Sequence, residues 1–177
     1  MAASREVIKR RALSWLKQLF AFVLALLLVS LAVDWYRAPT VPAGAAAMPL
    51  QPIGAKQAQT LQEYSSDQVL VLYFWGSWCG ICRHTSPAIE KLRQDGVPVV
   101  GVAMNSGSDA DIGNYLRRNG WHFASVNDAD GHLSRQWGVH VTPTIVLVRN
   151  GKVRHSTTGL AAYPTLKARI WLANLLP

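Results

Sequence analysis

The chain has no third cysteine: its 177 residues carry two, Cys79 and Cys82. A structural zinc site draws on four ligands, usually from a second Cys/His pair, so this pair alone does not build one. A c-type haem site needs His directly after the second Cys, but Arg83 stands there and His84 comes one place late. Soft ligands for copper are also scarce, since the methionines beyond Met1 are Met48 and Met104. The formal charge of +8 is not gathered into any Lys/Arg run or basic-aromatic alternation after residue 36, so no nucleic-acid partner is expected. Much of that excess sits in the N-terminal tail, where Arg5, Lys9, Arg10, Arg11 and Lys17 face Glu6.

Behind that tail, residues 19–33 are apolar apart from Ser30, with Trp15, Trp35 and Tyr36 at the flanks. As a helix, residues 17–36 would cover about 30 Å, the thickness of a bilayer core. This predicts a cytoplasmic basic tail over 1–16 and a transmembrane anchor over 17–36, with everything beyond exported by the positive-inside rule. A cleaved signal peptide competes, with small-residue sites at 43–45 or 45–47. Those sites lie about ten residues past the apolar run, which favours an anchor that stays. Either way the cysteines end outside the cytoplasm. Residues 37–57 are rich in Pro and Ala without a period and read as a linker, leaving a domain over 58–177 tethered but free to turn.

In that domain short apolar runs alternate with helical stretches. Residues 69–74 form a continuous apolar run of strand length, as for a strand buried on both faces. A helix over 83–94, which Pro87 would bend, leads to a second buried strand over 97–104. Helices near 110–119 and 132–137 flank a short strand at 122–126. Strands over 144–148 and 152–157 form a hairpin about Asn150-Gly151, and a helix over 163–175 closes the chain. The pattern implies an α/β sandwich around a mixed sheet.

The two cysteines stand three apart in Trp75-Gly76-Ser77-Trp78-Cys79-Gly80-Ile81-Cys82, between the first buried strand and a helix. Unpaired N–H groups and the helix dipole favour a thiolate at that position, the form that attacks disulfides. Redox chemistry at Cys79 is therefore the first expectation. A Cu(I) site on Cys79, Cys82 and His84 remains open beside it, and a purely structural disulfide ranks last because so short a loop gains little from closure.

Together with Pro87, eight residues after Cys79, and Val141-Thr142-Pro143-Thr144 before a strand, these motifs resemble the thioredoxin superfamily over roughly residues 63–175. The wide spacing from Cys79 to Pro143, Asn127-Asp128-Ala129-Asp130-Gly131 and Trp137-Gly138-Val139 are similar to its membrane-anchored periplasmic TlpA-like branch. The anchor and the setting of the cysteines most resemble the suppressor-for-copper-sensitivity thioredoxin-like proteins, the D component of that set. The resemblance implies a thioredoxin-like three-layer sandwich behind one N-terminal transmembrane helix, and a catalytic domain in the periplasm on the bacterial inner membrane. It implies protein disulfides as substrates, a transmembrane thiol relay as electron donor, and no cofactor or metal.

Cys79 would attack a partner disulfide and Cys82 would resolve the mixed disulfide. Pro143 would be cis and face the dithiol, with the Thr142 backbone free to pair with substrate. Trp78 would cover the dithiol edge and Trp75 pack beneath it, while Gly80-Ile81 replaces the Gly-Pro of thioredoxin. One departure matters: where the thioredoxin pattern has a buried acid six residues before the first cysteine, this chain has Tyr73, a phenol with an ordinary pKa near ~10 and a poor base. Glu90, expected on a solvated helix face, is a poor substitute. A cytochrome c maturation thiol reductant is the enzymatic alternative, but Gly138-Val-His-Val-Thr-Pro-Thr144 lacks the second Gly and the Glu typical of that family.

Overall fold

The computed structural model describes residues 2–36 and 39–175, with side chains of the first part described at 14–26, 28, 29, 32, 33 and 36. The chain divides into two units, 1–36 and 37–177. The first is one helix, α1 (Ala2–Tyr36), with Leu16, Leu19, Phe20, Phe22 and Leu26 exposed along it. The expected membrane-spanning helix over 17–36 is not found in that form: among the described residues no helix is long and apolar enough to cross a membrane. The side chains at 27, 30, 31, 34 and 35, which carry part of the apolar pattern, lie outside the described residues, as do those of Arg5, Lys9, Arg10 and Arg11.

In the second unit a five-stranded sheet runs in the order β5-β4-β3-β6-β7. At its centre lies β3 (Leu70–Trp75), six residues buried without exception. It pairs in parallel with β4 (Val99–Met104) and antiparallel with β6 (Thr144–Arg149), so the sheet is mixed as expected. β5 (Ala124–Asp128) adds to β4 in parallel, and β7 (Lys152–Thr158) adds to β6 antiparallel across the Asn150-Gly151 turn. Both turn residues have positive φ, 51° and 69°, the pair of angles that a two-residue hairpin requires.

Because side chains of a strand alternate, β3 feeds two cores. Val71, Tyr73 and Trp75 face one, filled by α3 (Gly80–Gln94), α4 (Asp109–Arg118) and α6 (Tyr163–Leu175) through Ile89, Leu92, Ile112, Leu116, Leu166 and Ile170. Leu70, Leu72 and Phe74 face the other, where Trp137 follows the short helix α5 (His132–Gln136). Helices α4 and α2 (Leu61–Tyr64) start from capping boxes, Ser108 with Asp111 and Thr60 with Glu63, which satisfy amide donors that a helix start leaves open.

The segment read as a free linker is corrected by the structure. A 3-10 turn at Ala45–Ala47 and the small ribbon of β1 (Pro49–Leu50) with β2 (Gln59–Thr60) lie against the second core, which takes Ala45, Leu50 and Leu61. Ile53 N–H donates to the Ser125 carbonyl at 2.8 Å, and Trp137 Nε1 donates to Met48 Sδ at 3.4 Å. The physical reason is the uncovered sheet face: α5 is only five residues long, and burying Leu50 and Ala45 there gains more than leaving a Pro/Ala chain in water. Replacing Leu50 by Ala in the full chain is expected to cost about 2–5 kcal/mol. A urea unfolding midpoint unchanged by Leu50→Ala would restore the free linker.

Candidate active site

β3 ends at Trp75, and Cys79 N–H closes a turn onto the Gly76 carbonyl at 3.1 Å. Cys79 then stands as the N-cap of α3, with extended backbone. Its sulphur accepts the Cys82 backbone N–H at 3.1 Å, the donor a helix start leaves free. The two sulphurs form a disulfide. Both cysteines are buried, Cys79 at 7 % exposed and Cys82 at 1 %, so the first is the less covered of the two.

The Thr142–Pro143 peptide is cis, and the Thr142 carbonyl oxygen lies 3.7 Å from Cys79 Sγ. In the disulfide that sulphur has no proton to give, so the approach is a contact; the reduced thiol would donate there. Gly159 N–H holds the far side of the loop by donating to the Pro143 carbonyl at 2.8 Å. Cys79, Cys82, Thr142 and Pro143 are thus brought together.

Trp75 is fully buried, stacked on Tyr115 with ring centroids 5.7 Å apart and edge-on to Phe123 at 5.8 Å. Trp78 is exposed and folds back over Gly76, its Nε1–H donating to the Met104 carbonyl at 2.9 Å. A side chain at Gly76 would strike that indole at 2.7 Å, so the glycine makes the fold-back possible. Gly80 opens α3, and Ile81 is exposed beside the cysteines.

Tyr73 is sealed in the first core, its hydroxyl 3.0 Å from Ser86 Oγ and 3.4 Å from the Cys82 carbonyl, to which it donates. Burial pushes its phenol well above the ordinary value, so it is no base at neutral pH. Glu90 departs from its expected solvated place: it is buried, and accepts from Arg93 at 2.7 and 3.0 Å and from His122 N–H at 2.8 Å. Burial works to raise that carboxyl, but Arg93, the His122 amide and Gln94 together outweigh it and hold it below the usual glutamate range. Its hydrogen-bond partners Arg93, Gln94 and His122 belong to α3 and the approach to β5, so it braces the helix. Among the described residues no group of three or more His, Cys, Asp and Glu side chains is placed to hold a metal ion.

Two contacts were not legible from sequence. Met104 acts through its backbone carbonyl, which carries no residue signature, and Ser106 bridges Met104 and Ser77 from a loop with no motif of its own.

A disulfide pair at a helix start thus faces a cis-proline loop beside the central strand. The Redoxin family model matches residues 40–165. The chain belongs to the Redoxin family. A thioredoxin-like protein of Haemophilus influenzae is 42% identical over 161 residues, covering 90% of this chain and 95% of the relative. The thiol:disulfide interchange protein HelX of Rhodobacter capsulatus is 31% identical over 113 residues, 62% of this chain and 64% of its own length. The crystal structure of StoA from Bacillus subtilis, 22% identical, superposes with a TM-score of 0.62 over 72% of this chain and 98% of StoA, and so shares the fold. This Redoxin member is a thioredoxin-like thiol–disulfide oxidoreductase.

Tyr73→Phe is expected to leave the pH profile of disulfide exchange unchanged while costing about 1 kcal/mol of stability through the lost Ser86 bond. A shifted profile would make the phenol part of proton transfer. Because the folded pKa of Glu90 lies below its unfolded value, its contribution is complete above the ordinary glutamate pKa and is lost as pH falls through the lowered one. Glu90→Gln should therefore destabilise the protein at pH 7 and reduce the difference from wild type under acid, as read by thermal melts across pH.

Proposed function

We propose that this chain is a membrane-tethered oxidoreductase of the exported compartment that reduces protein disulfides with Cys79 and Cys82. The observation that carries the reading is the Cys82 N–H at 3.1 Å from Cys79 Sγ, on the more accessible sulphur and beside the cis-proline loop. An amide aimed at that atom favours negative charge on it, and the thiolate is the attacking form.

In the reduced protein the Cys79 thiolate attacks one sulphur of a partner disulfide. A mixed disulfide forms, and the partner's other sulphur leaves as a thiolate that takes up a proton. Cys82, deprotonated to water, then attacks Cys79 Sγ and expels the partner's remaining thiolate. Two electrons have passed to the partner, and the Cys79–Cys82 disulfide has formed. Thr142 and Pro143 would receive an extended segment of the partner, with Trp78 as an apolar flank. Gly80 and Ile81 would leave the helix start open, and Trp75 would support the site from the core.

Tethering rests on the apolar stretch of residues 19–33 behind a basic tail. An oxidising compartment requires that electrons be resupplied, so the donor is a transmembrane thiol protein. The naming of the Rhodobacter relative as a thiol:disulfide interchange protein supports the reaction class. Within the family the cysteine motif and the apolar stretch of residues 19–33 favour the copper-sensitivity suppressor D component. The cytochrome c maturation and copper-binding readings have no contact in the site that favours them.

A Cys82→Ala chain expressed in the exported compartment should accumulate mixed disulfides through Cys79. A folded, abundant variant with no such adducts would count against the mechanism. The direction is read from the equilibrium reduction potential of the wild type. A value near the ~−270 mV of thioredoxin fits a reductase, whereas one near ~−120 mV would make the protein an oxidant.

A further inference from the structure

Trp78 is 61 % exposed, so burial does little to fix its ring. Its indole is nevertheless held in one place. Nε1–H donates to the Met104 carbonyl at 2.9 Å, and the ring lies over the bare Cα of Gly76. The same carbonyl accepts the Ser106 hydroxyl at 2.9 Å, and Ser106 Oγ accepts Ser77 N–H at 3.0 Å. One hydroxyl thus ties the residue before Trp78 to the carbonyl that holds the Trp78 ring.

Ser106 is itself fixed from behind. Asn105 adopts a left-handed backbone, φ 44°, with its N–H donating to the Asp128 carbonyl at 3.0 Å and its side-chain amide to the Ala129 carbonyl at 3.2 Å. Asp128 in turn is buried and accepts from Leu133 and Ser134 N–H, both at 2.9 Å. The bonds run from the start of α5 through the end of β5 to the loop that carries Cys79. An exposed aromatic ring held in one orientation meets a partner without an ordering cost at the moment of binding.

We propose that Ser106 is a positioning residue for disulfide exchange, acting through Trp78 by fixing the indole where a protein partner contacts it. The inference rests on the exchange reading above and adds a residue that touches neither cysteine. Its signature is selective. A partner large enough to contact the indole feels the loss of Ser106, while a small disulfide that meets only Cys79 does not. Gly76 reaches the same ring from the other side, since a Cβ there would lie 2.7 Å from indole Cε2 and Nε1.

The test uses the full chain with two disulfides: insulin, turned over with excess dithiothreitol to regenerate the dithiol, and dithiobis(nitrobenzoate), reduced in a single turnover by pre-reduced protein freed of dithiothreitol. Ser106→Ala is expected to raise KM for insulin about five- to tenfold, with kcat within twofold and the small-disulfide rate unchanged. Ser106→Thr, which keeps the hydroxyl, should restore most of the loss. In a Trp78→Phe background Ser106→Ala should add less than twofold, because the two changes remove one contact. Gly76→Ala should repeat both results, which keeps the test open if Ser106→Ala folds poorly. An equal loss on both disulfides, an additive effect in the Trp78→Phe background, or no change in KM would overturn the inference alone. A wild-type chain inert toward both disulfides would overturn the exchange reading and the inference with it.

Discussion

The hydrogen bond from the Cys82 amide to Cys79 Sγ is the contact around which this fold is arranged. A helix start leaves such an amide free, and Cys79 caps it with its sulphur in place of the usual side-chain oxygen. That cap must sit at the edge of the domain, where a partner reaches one sulphur. The sheet secures this by burying all six residues of β3, so that the chain emerges at Trp75 in one fixed place. The Thr142–Pro143 loop is delivered to the same edge because β6 runs antiparallel beside β3, with Thr144 paired to Phe74.

Tyr73 shows how the site and the core share residues. Its ring packs edge-on to Phe123, and its hydroxyl is spent on Ser86 and the Cys82 carbonyl. An acid at this position would need partners or water to ionise, whereas the phenol stays neutral and closes the core. Tyr73 therefore offers no base to Cys82, and under the proposed exchange the proton of that thiol has to leave by another route. Glu90 does not provide it, being engaged with Arg93 and His122.

Much of the architecture was legible because it depends on local patterns. The unbroken apolar run of β3 and the Asn150-Gly151 turn each identify themselves within a few residues. The cysteine pair and the Thr142-Pro143 loop were legible as motifs, though what each contributes chemically is a matter for experiment. Other features were not legible because their partners are remote in sequence. Glu90 looks solvated until the backbone of His122 is brought to it. Residues 39–57 look unstructured because nothing in their Pro/Ala composition records that a sheet face stands uncovered. Ser106 and Met104 act through a hydroxyl and a backbone carbonyl at a loop, where residue type carries little signal. The anchor was read from an apolar run, its aromatic flanks and the basic tail before it, a pattern that speaks to the solvent a helix prefers and not to where it is placed.

The packing of residues 45–61 on the second core also sets where this protein can be cut. Ala45, Leu50 and Leu61 complete one wall of the domain, and Thr40 already lies against Gly138, within 3.1 Å of the position its Cβ would take. A soluble version trimmed to the start of the sheet would lose that wall and expose Leu72, Phe74 and Trp137 to neighbouring molecules, a recipe for association. The smallest portable form of the enzyme therefore begins ahead of Thr40, and any graft or fusion has to carry the wall with it.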